Sequence, residues 1–466
     1  MRNKEKSRLQ PFPSGRSRSS LTRLAKGFSC FGGVALAIAG VSGSAFAQAT
    51  SGTAVYGTAA PEQRYAPPPG QDYLNPRQAA SENYNPLGVR VGSFLLFPTL
   101  ELDEAYQDNI YATQSNRVGS FVQNVNPGLQ LRSQWGQHAL NFYARGAFGF
   151  YSADATQNYQ DVNAGFDGRY DISPNSNFYG GAAYTRAHYF PGSPNAVVGA
   201  FPVSVYNQYT TNVGYFQQFG RFRARLDGQM DAYDYLNNGQ GVNQGFSNNS
   251  DLNRVEWRQA LRIGYEFLPG YEIWTRGAFN QRRYQNNPDS SGLFRNSSGF
   301  EVVGGVAVLV STITSFEVFA GYIQQDYVDA AFPSVQVPTF GLTGYWSPIR
   351  EVLVKPFVRR TIDESSLSNS AAYINTAGGL DVNYAFRPNI RLDGHADYTV
   401  ANYLSSNNGG QPSRYDQYWT FRAGVMYQPT PNFFVGPTYQ FVHRTSNQFG
   451  LDYDANTIML RLGAQL

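Results

Sequence analysis

Apolar and charged side chains alternate at every second position along many stretches of this sequence. In residues 222–232 the apolar set includes Phe222, Leu226 and Met230, and the polar set consists of Arg223, Arg225, Asp227, Gln229 and Asp231. Residues 254–267 and 390–398 repeat this division. A period of two is that of a β-strand with one apolar face and one hydrated face. The chain is therefore predicted to be all-β.

Such strands recur from Val89 to Leu466, joined alternately by short turns and longer polar loops. Short turns are predicted at residues 134–137, 173–177, 219–220, 268–270, 311–315, 347–350, 387–389 and 429–432, where Gly, Pro, Asn and Ser are common. Longer loops are predicted at residues 108–120, 152–158, 190–205, 236–251, 286–297, 329–338, 363–371, 404–414 and 446–451. These 17 connections predict about 18 strands, an even number that places both termini on the periplasmic side of a bacterial outer membrane.

Three features favour a transmembrane barrel over a soluble β-sandwich, whose strands also alternate. No run of 18 apolar residues follows Val41, which excludes a helical membrane protein. Aromatic residues flank most of the short turns, as in an interfacial girdle. The last strand keeps apolar side chains in register to Leu466 and resembles a barrel-insertion signal, although such signals usually end in an aromatic residue. We predict a transmembrane antiparallel up-and-down β-barrel over residues 89–466, in the cell outer membrane.

The first 47 residues have the composition of an export signal. A basic stretch precedes the apolar run from Phe28 to Val41, and Ala45-Phe46-Ala47 is the expected cleavage site. This run is shorter than the roughly 20 residues of a membrane-spanning helix, so cleavage is favoured over a retained anchor. The single cysteine, Cys30, lies inside the signal, and no disulfide is expected in the mature chain.

Residues 48–88 are rich in Ala, Gly, Gln and Pro and have no sustained periodicity, which predicts a flexible periplasmic leader. A tether is the simplest role for it; contact with a periplasmic partner and return into the barrel are the alternatives. Removing the signal leaves 28 basic and 32 acidic residues, a net charge of −4. The basicity of the whole chain thus belongs to its targeting segment, and nucleic acid is not expected as a partner.

Several motifs at the front of the predicted barrel resemble one known family. They are Phe97-Pro98, Tyr106-Gln107-Asp108-Asn109-Ile110-Tyr111, Asn126-Pro127-Gly128-Leu129, Trp135-Gly136-Gln137-His138 and Asn158-Tyr159-Gln160-Asp161. Together they resemble the opening of the putative beta-barrel porin 2 family of Gram-negative bacteria, and the resemblance runs from about Val89 to Leu466. Some members are encoded beside exopolysaccharide genes. The resemblance therefore implies an exit for the polymer, with periplasmic polysaccharide-export proteins as partners.

The predicted inward faces carry both signs of charge. A barrel of about 18 strands is too wide for side chains to fill, so these groups are expected to line an aqueous channel unless a loop or the leader plugs it. The predicted pore-lining residues are Arg223, Arg225, Asp227, Arg254, Glu256, Arg258, Arg262, Arg391, Asp393, Asp397, Arg422 and Arg461. Neighbouring arginines indicate either anion selectivity or cross-strand salt-bridge ladders, of which the ladders are favoured. Inner-face tyrosines either stack on sugar rings or pack the wall, among them Tyr143, Tyr151, Tyr233 and Tyr235.

Catalysis has little support in the sequence, and neither a cofactor nor a metal is expected. The histidines, His138, His188, His395 and His443, lie on different predicted hairpins and form no metal-ligand or nucleophile motif. His395 shares a face with Asp393 and Asp397, which would suit an acid–base site if a luminal serine lay opposite. A charged luminal network explains the same arrangement with fewer assumptions.

Three functions share the predicted fold. They are a channel for small hydrophilic solutes, a conduit for exopolysaccharide export, and a structural or adhesive barrel that conducts little. The polar, mixed-charge lumen favours the channel. The expected partners are outer-membrane lipid, lipopolysaccharide and the barrel-insertion machinery, and no feature of the sequence determines the oligomeric state.

Overall fold

The computed structural model describes residues 86–196, 203–236, 249–311, 313–367, 370–405 and 413–466. The predicted signal and nearly all of the predicted leader lie outside these residues. The described chain forms the strands β1 (Val89–Val91), β2 (Phe94–Gln107), β3 (Ser120–Ser133), β4 (Ala139–Tyr151), β5 (Tyr159–Ser173), β6 (Ser176–His188), β7 (Val205–Phe219), β8 (Phe222–Tyr235), β9 (Arg254–Leu268), β10 (Tyr271–Tyr284), β11 (Ser297–Ser311), β12 (Thr314–Tyr327), β13 (Val335–Trp346), β14 (Val352–Glu364), β15 (Ser370–Arg387), β16 (Ile390–Ser405), β17 (Tyr415–Thr430), β18 (Phe433–Ser446) and β19 (Tyr453–Gln465). Short 3-10 helices occupy Ala155–Gln157 and Asn249–Leu252. Within the described ranges, no helix has the length and apolarity needed to cross a membrane.

The strands from β2 to β19 close into an antiparallel barrel. Each pairs with its neighbour in sequence, and β19 pairs back with β2 from Thr457–Gln107 to Gln465–Thr99. Strand β1 adds a short hairpin beside the start of β2, beyond the end of β19. The prediction of a closed, all-β, antiparallel barrel with 18 strands is confirmed.

Short turns and longer loops lie at opposite rims of the barrel, as the spacing of turn residues predicted. The turn after β7 places Gly220 at φ +57°, and the turn after β9 places Gly270 at φ +81°, a region that favours glycine. The start of β2 and the end of β19 also lie at the rim that carries the short turns. The amide of Leu466 donates to the carbonyl of Pro98 (3.2 Å), and Trp135, in the turn after β3, donates to the Ser93 hydroxyl (3.2 Å).

The barrel is apolar outside and polar inside, the reverse of a soluble domain. On β8 the outward side chains Phe222 and Leu226 are 56% and 55% exposed, whereas the inward Arg225 and Asp231 are 7% and 4% exposed. The same division holds on β9, where Leu261 faces outward and Arg254 faces inward. Exposing a band of large apolar side chains to water is costly, so this outer surface suits contact with hydrocarbon.

Candidate functional site

A network of ion pairs covers the inner wall from β8 to β12. Arg223 donates to Glu266 (2.8 Å) and Glu272 (2.7 Å), and Arg262 donates to Glu272 (3.0 Å) and Glu317 (2.9 Å). The side chain of Glu272 is 2% exposed and lies between two guanidinium groups. Such pairing stabilises a buried carboxylate because both partners satisfy hydrogen bonds as well as charge.

The other predicted arginines of this wall are also paired. Arg225 bonds to the Tyr179 hydroxyl (2.8 Å) and to Asp227 (2.9 Å). Arg254 bonds to Glu256 (2.8 Å), and Arg258 bonds to Glu301 (3.1 Å). Cation–π contacts add to the network: the Arg262 guanidinium lies 4.0 Å from the ring centre of Trp274, and Arg254 lies 4.3 Å from that of Tyr233. The ion pairs of Arg223, Arg258 and Arg262 run between strands, whereas those of Arg225 with Asp227 and of Arg254 with Glu256 run along one strand. The arginines that suggested anion selectivity are therefore paired with carboxylates.

His395 lies between two carboxylates on the wall formed by β15, β16 and β17. Its Nδ1 is 2.9 Å from Asp381, and its Nε2 is 2.9 Å from Asp397. Both ring nitrogens are thus engaged, which leaves the imidazole well suited to bridging charges and poorly suited to proton transfer with a substrate. In the described parts of the chain, no group of three or more His, Cys, Asp or Glu residues has a metal-site arrangement.

The remaining predicted site residues are spread around the same inner surface. Arg391 contacts the Met426 sulfur (3.0 Å), and Arg461 bonds to Glu101 on β2 (3.0 Å). Asp393 faces Gly424, where an added Cβ would lie only 2.8 Å from a carboxylate oxygen. Arg422 is the register partner of His395. The structure therefore distributes the predicted set over two wall regions and gathers no single cluster.

The end of the β14–β15 hairpin lies on the inner side of the barrel: β14 stops pairing with β13 beyond Arg359, whereas β15 stays paired with β16 up to Ser370. We call its described residues, 360–367 and 370–376, the tucked tip. Ile362 and Ile374 of the tip form an apolar cluster with Val335, on the inner side of β13. The Thr339 hydroxyl of β13 donates to the backbone carbonyl of Arg360 (2.8 Å). The tip thus covers the inner face of the wall next to it.

Polar contacts hold the tucked tip from the opposite side. Glu364 accepts hydrogen bonds from Arg282 and Tyr284, both of β10. Arg282 also donates to the carbonyl of Ile362 (3.1 Å). Arg295, in the loop after β10, is 3% exposed and donates to the carbonyl of Leu367 (3.0 Å). Strand β10 lies four strands from β14 in the sheet, so the tucked tip extends over the inner faces of the strands between them.

A second element crosses the mouth from the β6 side. We call residues 189–196 the crossing loop. Its Phe190 packs on the inner-wall cluster of Val442 and Tyr453, and the carbonyl of Pro194 accepts a hydrogen bond from Tyr403 (2.6 Å). At its base, burial and the neighbouring Tyr235 hydroxyl (2.8 Å) raise the pKa of Tyr189 well above its usual value, so the phenol stays protonated.

The crossing loop and the tucked tip touch each other inside the mouth. The amide and hydroxyl of Ser366 donate to the side-chain and backbone oxygens of Asn195, at 3.3 Å and 3.0 Å. Arg444 of β18 donates to the carbonyl of Gly192 (3.3 Å) and to Asp416 (2.9 Å), which is fully buried. The two elements therefore narrow the loop-end mouth. The sequence left a plugging loop open as an alternative but did not identify these residues.

Two local signals of the tucked tip are present. The run from Ala371 to Ile374 is buried on both faces, which is unusual for a barrel wall, where one face contacts lipid. In residues 360–364, Arg360 and Glu364 fall on the otherwise apolar face of Val358 and Ile362, so the period-two pattern weakens toward the end of β14.

A closed antiparallel barrel with an apolar exterior and a charge-paired interior defines a protein of the outer-membrane β-barrel class. Residues 82–466 match the family model described as Putative beta-barrel porin 2. The chain belongs to this family, as its motifs predicted. The family and the fold imply an outer-membrane location, and they point to a non-enzymatic protein.

Solved structures of similar shape include proteins of Acinetobacter baumannii and Pseudomonas aeruginosa. The siderophore receptor PirA of Acinetobacter baumannii is 7% identical, with 80% of each chain covered and a TM-score of 0.42. OpdL of Pseudomonas aeruginosa is 12% identical, with 81% of this chain and 100% of that chain covered and a TM-score of 0.40. OccK3 of the same organism is 15% identical, with 80% and 95% covered and a TM-score of 0.39. Likeness at this level carries no functional detail. No curated protein matches the sequence significantly.

Proposed function

We propose that this barrel is a porin-like channel for small hydrophilic solutes. The observation that carries the proposal is that some inward-facing polar side chains remain open to water. Asn212 and Arg145 are exposed, and the side chain of Asp381 is 38% exposed. All three lie midway along their strands, on the inner face by register. A hydrated zone at this depth is what a conducting lumen requires.

In this proposal the inward residues predicted from the sequence line the solute path. Their carboxylate partners make the lumen mixed in charge, so the wall would hold polar solutes weakly without a strong preference for one sign. The termini of the sheet and the short turns share one rim. Since bacterial barrels place short turns in the periplasm, both termini are proposed to be periplasmic.

The test combines conductance with labelling of single cysteines. The purified barrel should give stepwise current in a planar lipid bilayer. Asn212→Cys should react with a small charged thiol reagent and lose conductance, because the side chain faces the lumen. Val213→Cys is the matched control, since Val213 is 57% exposed on the lipid side and should stay unreactive. Cys30 lies in the predicted signal and should not interfere.

Conductance and labelling together distinguish a channel from a barrel that does not conduct. A folded barrel that carries no current, yet reacts at Asn212→Cys, would be hydrated and non-conducting, which refutes the channel and supports the structural or adhesive barrel. A barrel in which neither cysteine reacts would have no accessible lumen at this depth, and the channel proposal would be wrong.

A further inference from the structure

The wall of the barrel has a seam between β13 and β14. Pairing runs from Trp346–Val354 to Gly341–Arg359 and ends there. Yet β13 continues to Val335 in register with β12, and β14 continues to Glu364 in register with β15. Toward the loop rim the two strands have therefore separated, because β14 has moved inward with the tucked tip.

The same register, if continued, would close this seam. It would pair Phe340 with Arg360, Thr339 with Thr361, Pro338 with Ile362, Val337 with Asp363, and Gln336 with Glu364, by extension from Gly341–Arg359. In the extension Thr361 and Asp363 would face the lumen, whereas Ile362 would face outward together with Arg360 and Glu364. The register thus allows β14 a wall position, with two charged residues on the outer face toward the loop rim.

We propose that the tucked tip is a gate with two states: a tucked state, seen here, that narrows the mouth, and a zipped state in which β14 joins β13 and the mouth opens. The effect on current rests on the proposed channel. The conformational exchange itself does not.

Each state forms hydrogen bonds and packing contacts that the other state lacks. The tucked state gains the bonds of Glu364 to Arg282 and Tyr284, the bonds of Arg295 to the tip, and the cluster around Ile362. The zipped state gains ladder hydrogen bonds along the seam, where β13 and β14 are not paired with each other in the tucked state. Two packings of one segment, each with its own full set of contacts, are the basis of a two-state switch.

Glu364 is the latch of the tucked state. It is 7% exposed and accepts hydrogen bonds from two donors of β10, whereas the zipped register places it beside Gln336 on the outer side. Glu364→Gln removes the charge and keeps the shape. It should raise the open fraction of the channel because it weakens the bonds of the tucked state and leaves no charge at this outer position in the zipped state.

Disulfide trapping tests the two states directly. Gln336→Cys with Glu364→Cys should crosslink only when zipped, because in the tucked state these residues lie on opposite sides of the wall. Asn195→Cys with Ser366→Cys should crosslink only when tucked, since these residues are in contact here. Gln324→Cys with Gln336→Cys is the control for reactivity: these are register partners on the intact β12–β13 ladder, 3.1 Å apart at their amides.

Both test pairs are expected to oxidise in folded barrels in a lipid bilayer, the first raising conductance and the second lowering it, with reductant reversing each effect. If the control pair crosslinks and the Gln336–Glu364 pair stays reduced, no zipped state is populated and the proposal is wrong. If both pairs crosslink and conductance is unchanged, the tip moves but is not the gate. If both pairs crosslink in a barrel that never conducts, the channel proposal fails and the two-state tip stands.

Discussion

The buried carboxylate of Asp416 should be one of the most costly single charges to remove from this barrel. It is fully buried and accepts hydrogen bonds from Arg414 (2.8 Å) and Arg444 (2.9 Å), which are themselves 3% and 2% exposed. Ser446 donates a third bond (2.7 Å). Asp416→Asn keeps the shape of the side chain but leaves two buried guanidinium groups with one fewer negative charge. Breaking a buried pair in this way costs about 3–5 kcal/mol.

The matched control is Asp454→Asn at the same rim. Asp454 pairs with Arg117 (3.0 Å) and His443 (2.6 Å), and the side chains of all three are 38–40% exposed. Exposed pairs contribute about 0–1 kcal/mol because solvent screens them. Urea unfolding of both variants in lipid vesicles measures the free energies of unfolding. A cost for Asp416→Asn no larger than that of the control would refute the reasoning.

The Asp416 variant should also loosen the mouth. Arg444 links Asp416 to the carbonyl of Gly192 in the crossing loop. Once the carboxylate is neutral, the guanidinium is held less firmly and so is the loop. Amide hydrogen exchange of residues 190–196 should quicken in Asp416→Asn and stay unchanged in Asp454→Asn. Equal exchange in both variants would show that the loop does not depend on this contact.

Two further predictions concern the wall and one loop. Leu226→Arg places a charge on the lipid face and should lower the free energy of unfolding in lipid vesicles by about 2–4 kcal/mol. Asn212→Arg, on the hydrated inner face, should leave it almost unchanged. Similar losses in both variants would contradict the assigned faces. Asp329, in the loop after β12, accepts hydrogen bonds from the backbone amides of Phe294 (2.8 Å), in the loop after β10, and of Ala331 (2.9 Å), and these bonds lower its pKa. Its stabilising effect should therefore be present at neutral pH and lost as the pH falls through that lowered pKa. The melting temperature gap between wild type and Asp329→Asn should shrink from pH 7 to pH 3, and a constant gap would refute this.

The faces of the strands were predictable because each is decided by local periodicity. Leu226 and Arg225 differ by one position, and in a closed sheet that one position separates lipid from lumen. The number of strands was predictable for a similar reason. Turn residues such as Gly220 and Gly270 recur at regular intervals, because the thickness of the membrane sets the length of each strand. Each hairpin can therefore be recognised from the sequence.

The partners of the inner charges were not predictable, since they depend on register between strands. Arg262 bonds to Glu317, which is 55 residues away, and Arg282 bonds to Glu364, which is 82 residues away. A shift of one residue in the pairing of the strands would give both arginines different partners. A list of inward charges therefore describes the wall, and only the assembled sheet shows that carboxylates neutralise its arginines.

By itself, the sequence determined a β-barrel with an apolar exterior and a polar interior, since alternation and turn spacing are set by residues close together in the chain. The tertiary structure alone decided that the mouth is narrowed by the crossing loop and the tucked tip. Residues 360–364 follow β14 without a turn signal, and what places Ile362 inside is its contact with Val335, together with the bonds of Glu364 to β10. Those contacts exist only once strands β10 to β14 have paired into one curved sheet, because its curvature brings the inner face of β10 within reach of the end of β14.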